Sequence, residues 1–420
     1  MANPGVEFVG KTPIKRKLIT KYFVRGWWTD SNDMPISEAL FGDTVKFHLQ
    51  TQEIPIGENV TLKLFDDDNI LNTIEDHEDD EIGLVYSTNG QAAITDQVDG
   101  NKKVVKTIIL DNFEKMLRSE ADGILELYFK CTYDSDVDVK MPDLPQNYLQ
   151  VKGVPKIILV NGHWNRIANF MGMSPGSGGE GYWNFFTGNV KGYKTAADNY
   201  FGIKSKEPHF VDGSSLWGGS ESGGQRKKRG YEYARENFDE LKRGLGNEKA
   251  YVISHSEGGA CAAGVCQYLK ENNIDVGESL MLSADEGDEF TVEGNYPCYQ
   301  ITAGYLTHDY ITKRSRFEID PVVMDNRISG VNRYGVYISN GGLTTVHGAT
   351  INTSVFNLVT TLKTLNVQLA LNSQGQSVHQ TSPMDEKWYR IDEYRIYNKK
   401  IDIYPTNNSN IIEMYRERQD

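Results

Sequence analysis

The 420-residue chain is poor in several of the features that mark large functional classes. It has 4 cysteines, Cys131, Cys261, Cys266 and Cys298, which is neither the density of a disulfide-stapled scaffold nor the two close pairs of a structural zinc site. They read as reduced, buried thiols. No run approaches the roughly 18 consecutive apolar residues of a membrane helix, and the opening MANPGVEFVGKTPIKRK lacks the apolar segment that follows the basic region of a secretory signal. The expected location is the cytoplasm of the producing cell, with any export by another route. Basic residues number 44 against 58 acidic ones, for a formal charge of −14. Most of the surface then repels polyphosphate, and with no local basic face to offset this, nucleic acid is not an expected partner. What is plentiful is glycine, 40 residues with many between 162 and 264, and aromatics, with 23 Tyr, 16 Phe and 6 Trp. These give turns and enough apolar material for a sizeable core.

The grammar of the chain changes near residue 150. Before it, DTVKFHLQT, NVTLKLFDD, KVVKTIIL and GILELYFKCTY alternate apolar and polar residues between acidic or glycine turns, which predicts a small antiparallel sandwich over 1–149. The acidic groups Asp66, Asp67 and Asp68, then Glu75, Asp76, Glu78, Asp79 and Asp80, do not complete a calcium-loop spacing and read as solvated turns. MPDLPQNYLQVKGVP forms the boundary. After it, the short apolar runs PKIILVN, PHFVD, EKAYVISH, ESLMLS, YPCYQITAGYL and YGVYIS lie among the helical candidates GYEYARENFDELKRGL, GACAAGVCQYLKE and TSVFNLVTTLKTLN. Buried strands alternating with amphipathic helices predict an α/β layer with a largely parallel sheet over 150–370. Residues 371–420 form a C-terminal extension, polar at first and then rich in Tyr and Ile.

The most informative piece is Ser254-His255-Ser256-Glu257-Gly258-Gly259, with an apolar strand before it and a small-residue helix after it. A nucleophile elbow needs a strained strand-to-helix turn flanked by small side chains, so that the hydroxyl projects and the next amide faces an oxyanion. Ser256 occupies that position. The pattern is S-x-S-x-G, with Ser254 where G-x-S-x-G has glycine. The structural alternative for Ser256 is a plain turn serine.

At these residues the chain resembles the α/β-hydrolase family, and within it the fungal-type (class 3) lipases, over about residues 154–364. The resemblance implies an α/β-hydrolase sheet with flanking helices and a chain order of Ser, acid, His. It implies Asp309, in YLTHDYI, as the acid, with Asp285, in SADEGDEF, as its competitor; Asp288, Asp320 and Asp325 are left as surface or loop residues. His347, in the glycine-rich SNGGLTTVHGAT, matches the late-loop histidine, and His255 reads as a wall or packing residue. The oxyanion donors implied are the Glu257 amide and, from the loop NGHWN, the His163 amide. FMGMSPGSGGEGYWNFFTG reads as a lid or a wall of an acyl cleft. Lys227, Lys228 and Arg229 cap or solubilise the approach to the next helix.

The expected chemistry is carboxylic ester cleavage through an acyl-enzyme, by a lipase or phospholipase that needs no metal or other cofactor. A serine peptidase or amidase, and a non-catalytic binding protein with a degenerate hydrolase domain, are the alternatives. Expected partners are a lipid or other ester substrate and a transient membrane surface. A β-rich module ahead of a lipase-like domain also resembles a bacterial effector toxin delivered by a contractile (type VI) secretion apparatus. That resemblance implies secretion-spike and immunity-protein partners.

Overall fold

The structure, a computed structural model, describes residues 20–67, 81–82, 93–111, 116–117, 120, 122–163, 179–214, 221–308, 315–320, 322–323, 327–337, 346–365, 388–390, 394–396, 399–401 and 411–412. Contacts divide the chain into two compact units, Met1–Gly153 and Val154–Asp420.

The described strands of the first unit are β1 (Phe23–Asp30), β2 (Glu38–Leu40), β3 (Thr44–Thr51), β4 (Asn59–Asp66), β5 (Glu81–Ile82), β6 (Ala93–Gln97), β7 (Lys103–Ile109), β8 (Ile124–Tyr133), β9 (Asp136–Met141) and β10 (Leu149–Lys152). One sheet has the order β1-β3-β7, the other β2-β10-β8-β4-β5, with β6 on β4 and β9 on β8. The period-two pattern sorts side chains between faces, so that Val45, Phe47 and Leu49 of β3 are buried while the residues between them are not. Trp28, Phe47 and Phe129, from β1, β3 and β8, meet at ring-centroid distances of 5.0, 5.7 and 4.5 Å and join the two sheets. Asp66 departs from its reading as a solvated turn residue. It is buried, and its carboxylate accepts the Glu126 amide at 2.7 Å, where strand pairing ends. Asp68 and the Glu75–Asp80 group lie outside the described residues.

The second unit is built on β11 (Lys156–Asn161), β12 (His209–Asp212), β13 (Ala250–His255), β14 (Val276–Leu282), β15 (Cys298–His308), β16 (Ser315–Ile319), β17 (Asn332–Tyr337) and β18 (Trp388–Arg390). The order β12-β11-β13-β14-β15-β17-β18 is parallel throughout. β16 turns back antiparallel on the second half of β15. In the C-terminal extension, β19 (Tyr394–Ile396) pairs with β20 (Lys399–Ile401), and β21 (Ile411–Ile412) pairs antiparallel with β18. β11 to β15 and β17 fall on the six apolar runs of the sequence.

Those runs put apolar residues on both faces of the strands because both faces of the sheet are covered. Ile157, Leu159, Ile253, Leu280 and Leu282 pack with Tyr182, Trp183, Tyr193, Ala197, Val355, Phe356 and Val359. These come from helices α1 (Glu180–Thr187), α2 (Val190–Phe201) and the C-terminal helix Ser354–Leu365. Ile158, Val160 and Val252 point the other way, to Ala234, Leu241, Ala262, Val265 and Leu269, from α3 (Gly223–Glu236), α4 (Phe238–Lys242) and α5 (Gly258–Glu271). The helix Ser354–Leu365 is α6. The four cysteines are buried free thiols. No helix among the described residues is long and apolar enough to cross a membrane.

Helix α3 begins seven residues before the expected Gly230, because Ser222 and Gln225 form a reciprocal capping box at its start. Lys227 to Arg229 are therefore helical. α3 and α5 then cross almost backbone to backbone. A Cβ at Gly230 would stand 1.9 Å from the Cys261 carbonyl oxygen, and one at Gly264 would stand 1.9 Å from that of Lys227. Neither obstacle is a side chain that could swing aside. Gly264→Val is expected to lower stability by about 3 kcal/mol, the upper part of the range for overpacking. Urea denaturation checks it as a lowered midpoint with an unchanged slope.

Candidate active site

Ser256 follows β13 directly and precedes α5 by one residue. Its φ is +57°, a left-handed value that a residue with a Cβ adopts only when its surroundings hold it there. Its amide donates to Leu282 of β14 at 3.0 Å, and its carbonyl accepts the amides of Gly259 at 3.0 Å and Asp285 at 3.3 Å. The chain turns sharply at the carboxyl end of a central parallel strand, where open α/β sheets hold their ligands. Ser254, the departure from the glycine form, is accommodated sideways: its hydroxyl donates to the Leu280 carbonyl at 3.3 Å inside the sheet.

The loop after β11 closes on this turn. A Cβ on Gly162 would lie 2.5 Å from Ser256 Cβ and 3.0 Å from its Oγ, so only glycine fits there. Asn161, fully buried, fixes the loop. Its amide nitrogen donates to the Gly162 carbonyl and the Asp212 carboxylate, both at 2.9 Å, and its side-chain oxygen accepts the Gly179 amide at 3.0 Å.

His347 is 4% exposed and Asp320 is fully buried. His347 Nδ1 lies 2.7 Å from Asp320 Oδ2, and Asp320 Oδ1 accepts the Val322 amide at 3.0 Å. A carboxylate accepts, so the proton sits on Nδ1 and Nε2 is left as the basic nitrogen. The His347 ring packs at 4.5 Å, centroid to centroid and tilted by 48°, against that of His255, the residue before Ser256. His347 therefore sits against the residue that precedes Ser256.

Among the described residues, the carboxylate that His347 meets is neither of the two expected candidates. Asp309 lies outside the described residues. Asp285 reaches the elbow through its backbone amide. The carboxylate on His347 is that of Asp320, which sequence reading left as a surface or loop residue. β16 is the cause: this additional strand returns along β15 and delivers its next residue to His347, with the Asp320 amide bonded to the Ala303 carbonyl at 2.9 Å. A signal was present in FEIDP, an apolar alternation ended by a residue whose following proline forces it out of the helical region.

His255 is more than a packing residue. It is fully buried, and burial, reinforced by the neighbouring His347, pushes its pKa well below the usual value, so the ring is neutral. Its Nε2 lies 2.8 Å from the His347 carbonyl oxygen, which only accepts, so Nε2 carries the proton. Nδ1 then accepts from the Tyr182 hydroxyl. That hydroxyl is in turn hydrogen-bonded by the Gly162 backbone. Tyr182 belongs to α1, a core helix occupying the second half of the passage expected as lid or cleft wall; residues 164–178 lie outside the described residues.

The two residues expected to supply oxyanion amides are neighbours. Glu257 stands at the N-cap of α5, where backbone amides have no acceptor within the helix and the dipole favours negative charge. Its carboxylate lies 3.4 Å from His163 Nδ1 and 2.9 Å from buried Arg226, which also pairs with Glu286. Burial works to raise the Glu257 pKa, but His163 and Arg226 outweigh it and hold the group below the usual carboxylate value. Burial lifts Glu286 to about 7, against the pull of Arg226. No group of three or more His, Cys, Asp or Glu among the described residues is placed to hold a metal.

No protein-family model and no curated protein matches the chain. Among solved structures, a hyperthermophilic esterase from the archaeon Pyrobaculum calidifontis aligns with a TM-score of 0.26 at 12% identity, over 57% of this chain and 82% of its own. A monoclinic form of that esterase gives 0.24 at 12%, over 58% and 81%. A Legionella pneumophila chain described as a hydrolase gives 0.18 at 10%, over 63% of this chain and 52% of its own. At these scores the likenesses identify neither a substrate nor a site.

Arg226→Met leaves the Glu257 carboxylate without its guanidinium in a mostly buried place, and a loss of about 3–5 kcal/mol is expected. Chemical denaturation measures it, and Arg226→Met/Glu257→Gln should recover part of the loss. The depressed pKa of His255 has its own signature. The unfolded ring takes up a proton below about pH 6.5 while the folded ring resists it, so the stability this group contributes is full above that pH and declines as the pH falls. A pH series of melting curves on the wild type and His255→Gln should show a shallower acid limb in the variant.

Proposed function

We propose that the chain is a serine hydrolase of α/β-hydrolase type in which Ser256 is the nucleophile, His347 the base and Asp320 the acid. The observation that supports this reading is the left-handed Ser256 turn together with the buried His347–Asp320 pair, whose imidazole packs against His255, the residue before Ser256. Ser256 Oγ bonds to the acyl carbon while its proton passes to His347 Nε2. The carbonyl oxygen takes up the negative charge facing the Glu257 and His163 amides, where one donor is worth about 2.7–4 kcal/mol in the transition state. The bond to the leaving oxygen breaks, and His347 returns the proton to it. Water, activated by the same imidazole, then releases the acid and restores Ser256. Asp320 holds the Nδ1–H tautomer and the imidazolium that forms.

Preference for carboxylic esters, and for lipid or phospholipid among them, rests on the lipase resemblance. So do membrane-surface contact, the accessory or delivery role of the N-terminal sandwich, and export by a contractile apparatus with spike and immunity partners. Tyr182 and Trp183, within the passage expected as lid or cleft wall, are spent on the core of the second unit. A panel of lipid, short-ester and peptide substrates separates esterase from amidase.

The wild type should be labelled covalently by a fluorophosphonate, and Ser256→Ala should not. Asp320→Asn should lower kcat by about 10⁴-fold, as wrong-tautomer variants do, while Asp285→Asn and Asp309→Asn stay within about tenfold of wild type. Label persisting in Ser256→Ala, or an unchanged rate in folded Asp320→Asn, overturns the assignment.

A further inference from the structure

Four chain segments must agree on one geometry for the proposed chemistry: the loop after β11, the elbow after β13, the segment after β16 and the segment that carries His347. The sheet holds the first two close together, since β11 and β13 are paired neighbours. His347 lies after the last parallel strand of the main domain sequence, β17, which is three places from β13 in the sheet order. Asp320 orients the His347 ring through Nδ1. It does nothing to fix the height of the His347 backbone above Ser256. A hydrogen bond to the ring permits rotation and translation about it, whereas a second one to the backbone removes that freedom.

We propose that Tyr182 and His255 are positioning residues that fix the His347 backbone and the Gly162 loop to the elbow through one directional hydrogen-bond chain. The inference rests on the serine-hydrolase reading above. Its direction follows from donor and acceptor chemistry. The His347 carbonyl accepts from His255 Nε2–H at 2.8 Å, so His255 Nδ1 has no proton and accepts from the Tyr182 hydroxyl. The hydroxyl, having given its proton, accepts from the Gly162 backbone amide. Each group uses its one permitted role, and reversing any link would set two donors or two acceptors against each other.

The parts are rigid. Tyr182 and His255 are fully buried. The Tyr182 ring packs on Trp183 at 5.9 Å and on Phe186 at 4.8 Å, and Phe186 lies 5.4 Å from the His255 ring. Because the chain starts at the loop expected to carry an oxyanion donor and ends at the backbone of the expected base, its loss should loosen both at once. Substrate contacts would be untouched. The effect belongs to the transition state and therefore to kcat.

The test uses the full chain, a short-chain p-nitrophenyl ester and a fluorophosphonate. Tyr182→Phe keeps the ring and removes the bridging hydroxyl. His255→Leu removes the donor to His347, whereas His255→Gln keeps an amide N–H at about the place of Nε2. Tyr182→Phe and His255→Leu should each lose about 10- to 100-fold in kcat, the scale of a small misplacement of reacting groups, with KM within about twofold. His255→Gln should recover most of the kcat lost in His255→Leu, and labelling rates of Ser256 should follow the same order. Wild-type kcat in folded Tyr182→Phe overturns the inference, as does an equal loss in the Gln and Leu variants, which would show that bulk alone matters. Should His255→Leu fail to fold, Tyr182→Phe against wild type still decides. Absence of Ser256-dependent labelling in the wild type would instead sink the hydrolase reading itself.

Discussion

The left-handed turn at Ser256 is the constraint on which the second unit is organised. Holding a residue with a Cβ at φ +57° costs on the order of 1–3 kcal/mol, and the surroundings must supply it. They do so by using every backbone polar group of Ser256, with its amide on β14 and its carbonyl shared by Gly259 and Asp285. A serine so placed has no slack around it, which is why its neighbour in space must be Gly162. The same logic runs outward to α5, whose first residue, Gly258, would with a Cβ strike the Val160 and Asn161 carbonyls of β11. The small residues after the elbow therefore serve close approach first. The weak helix propensity of the glycines among them is offset by the burial of the inner face of α5.

Charge is arranged around the turn with equal economy. The protein carries a net −14, and Glu257 puts a carboxylate next to the proposed oxyanion position, where it would oppose the charge that develops. Arg226, 3% exposed and 2.9 Å away, answers it locally. At an effective dielectric constant of about 20, two unit charges 4 Å apart interact by about 4 kcal/mol, comparable to the worth of one oxyanion donor. The compensation is therefore large enough to matter for the chemistry as well as for stability.

Much of this was legible in the sequence, for physical reasons that also mark where legibility ends. A parallel strand buried on both faces carries apolar residues on both, so β11 to β15 and β17 stand out as runs; the sandwich strands stand out by alternation. The elbow was legible because strain demands small residues in fixed places. Asp320 was not, because it is placed by β16, a short strand whose sequence SRFEI carries both charges and whose pairing on β15 is a tertiary event. α2 escaped because its interior has Gly192 and a polar outer face, and the start of α3 because its capping box lies inside a glycine cluster. Tyr182 and Trp183 lie in a passage that reads as a lid or cleft wall, since nothing local distinguishes an aromatic that covers a sheet from one that faces a ligand.

What separates the two kinds of residue is the division of labour between apolar and polar contacts. Apolar packing is non-directional and sets the sheet and its layers, but it leaves loops free to slide. Around Ser256 the loops are instead tied by buried polar groups with few permitted partners. Asn161 binds the Gly162, Gly179 and Asp212 segments to one another, and His255 binds the Tyr182 helix to the His347 backbone. Each such group would cost about 1–3 kcal/mol if left unpaired, so any rearrangement of the loops must break several bonds together. The cooperative penalty makes one arrangement of the four segments much more stable than its neighbours. It accounts for why a histidine and an asparagine, residues costly to bury, sit completely buried beside a serine held in the left-handed region.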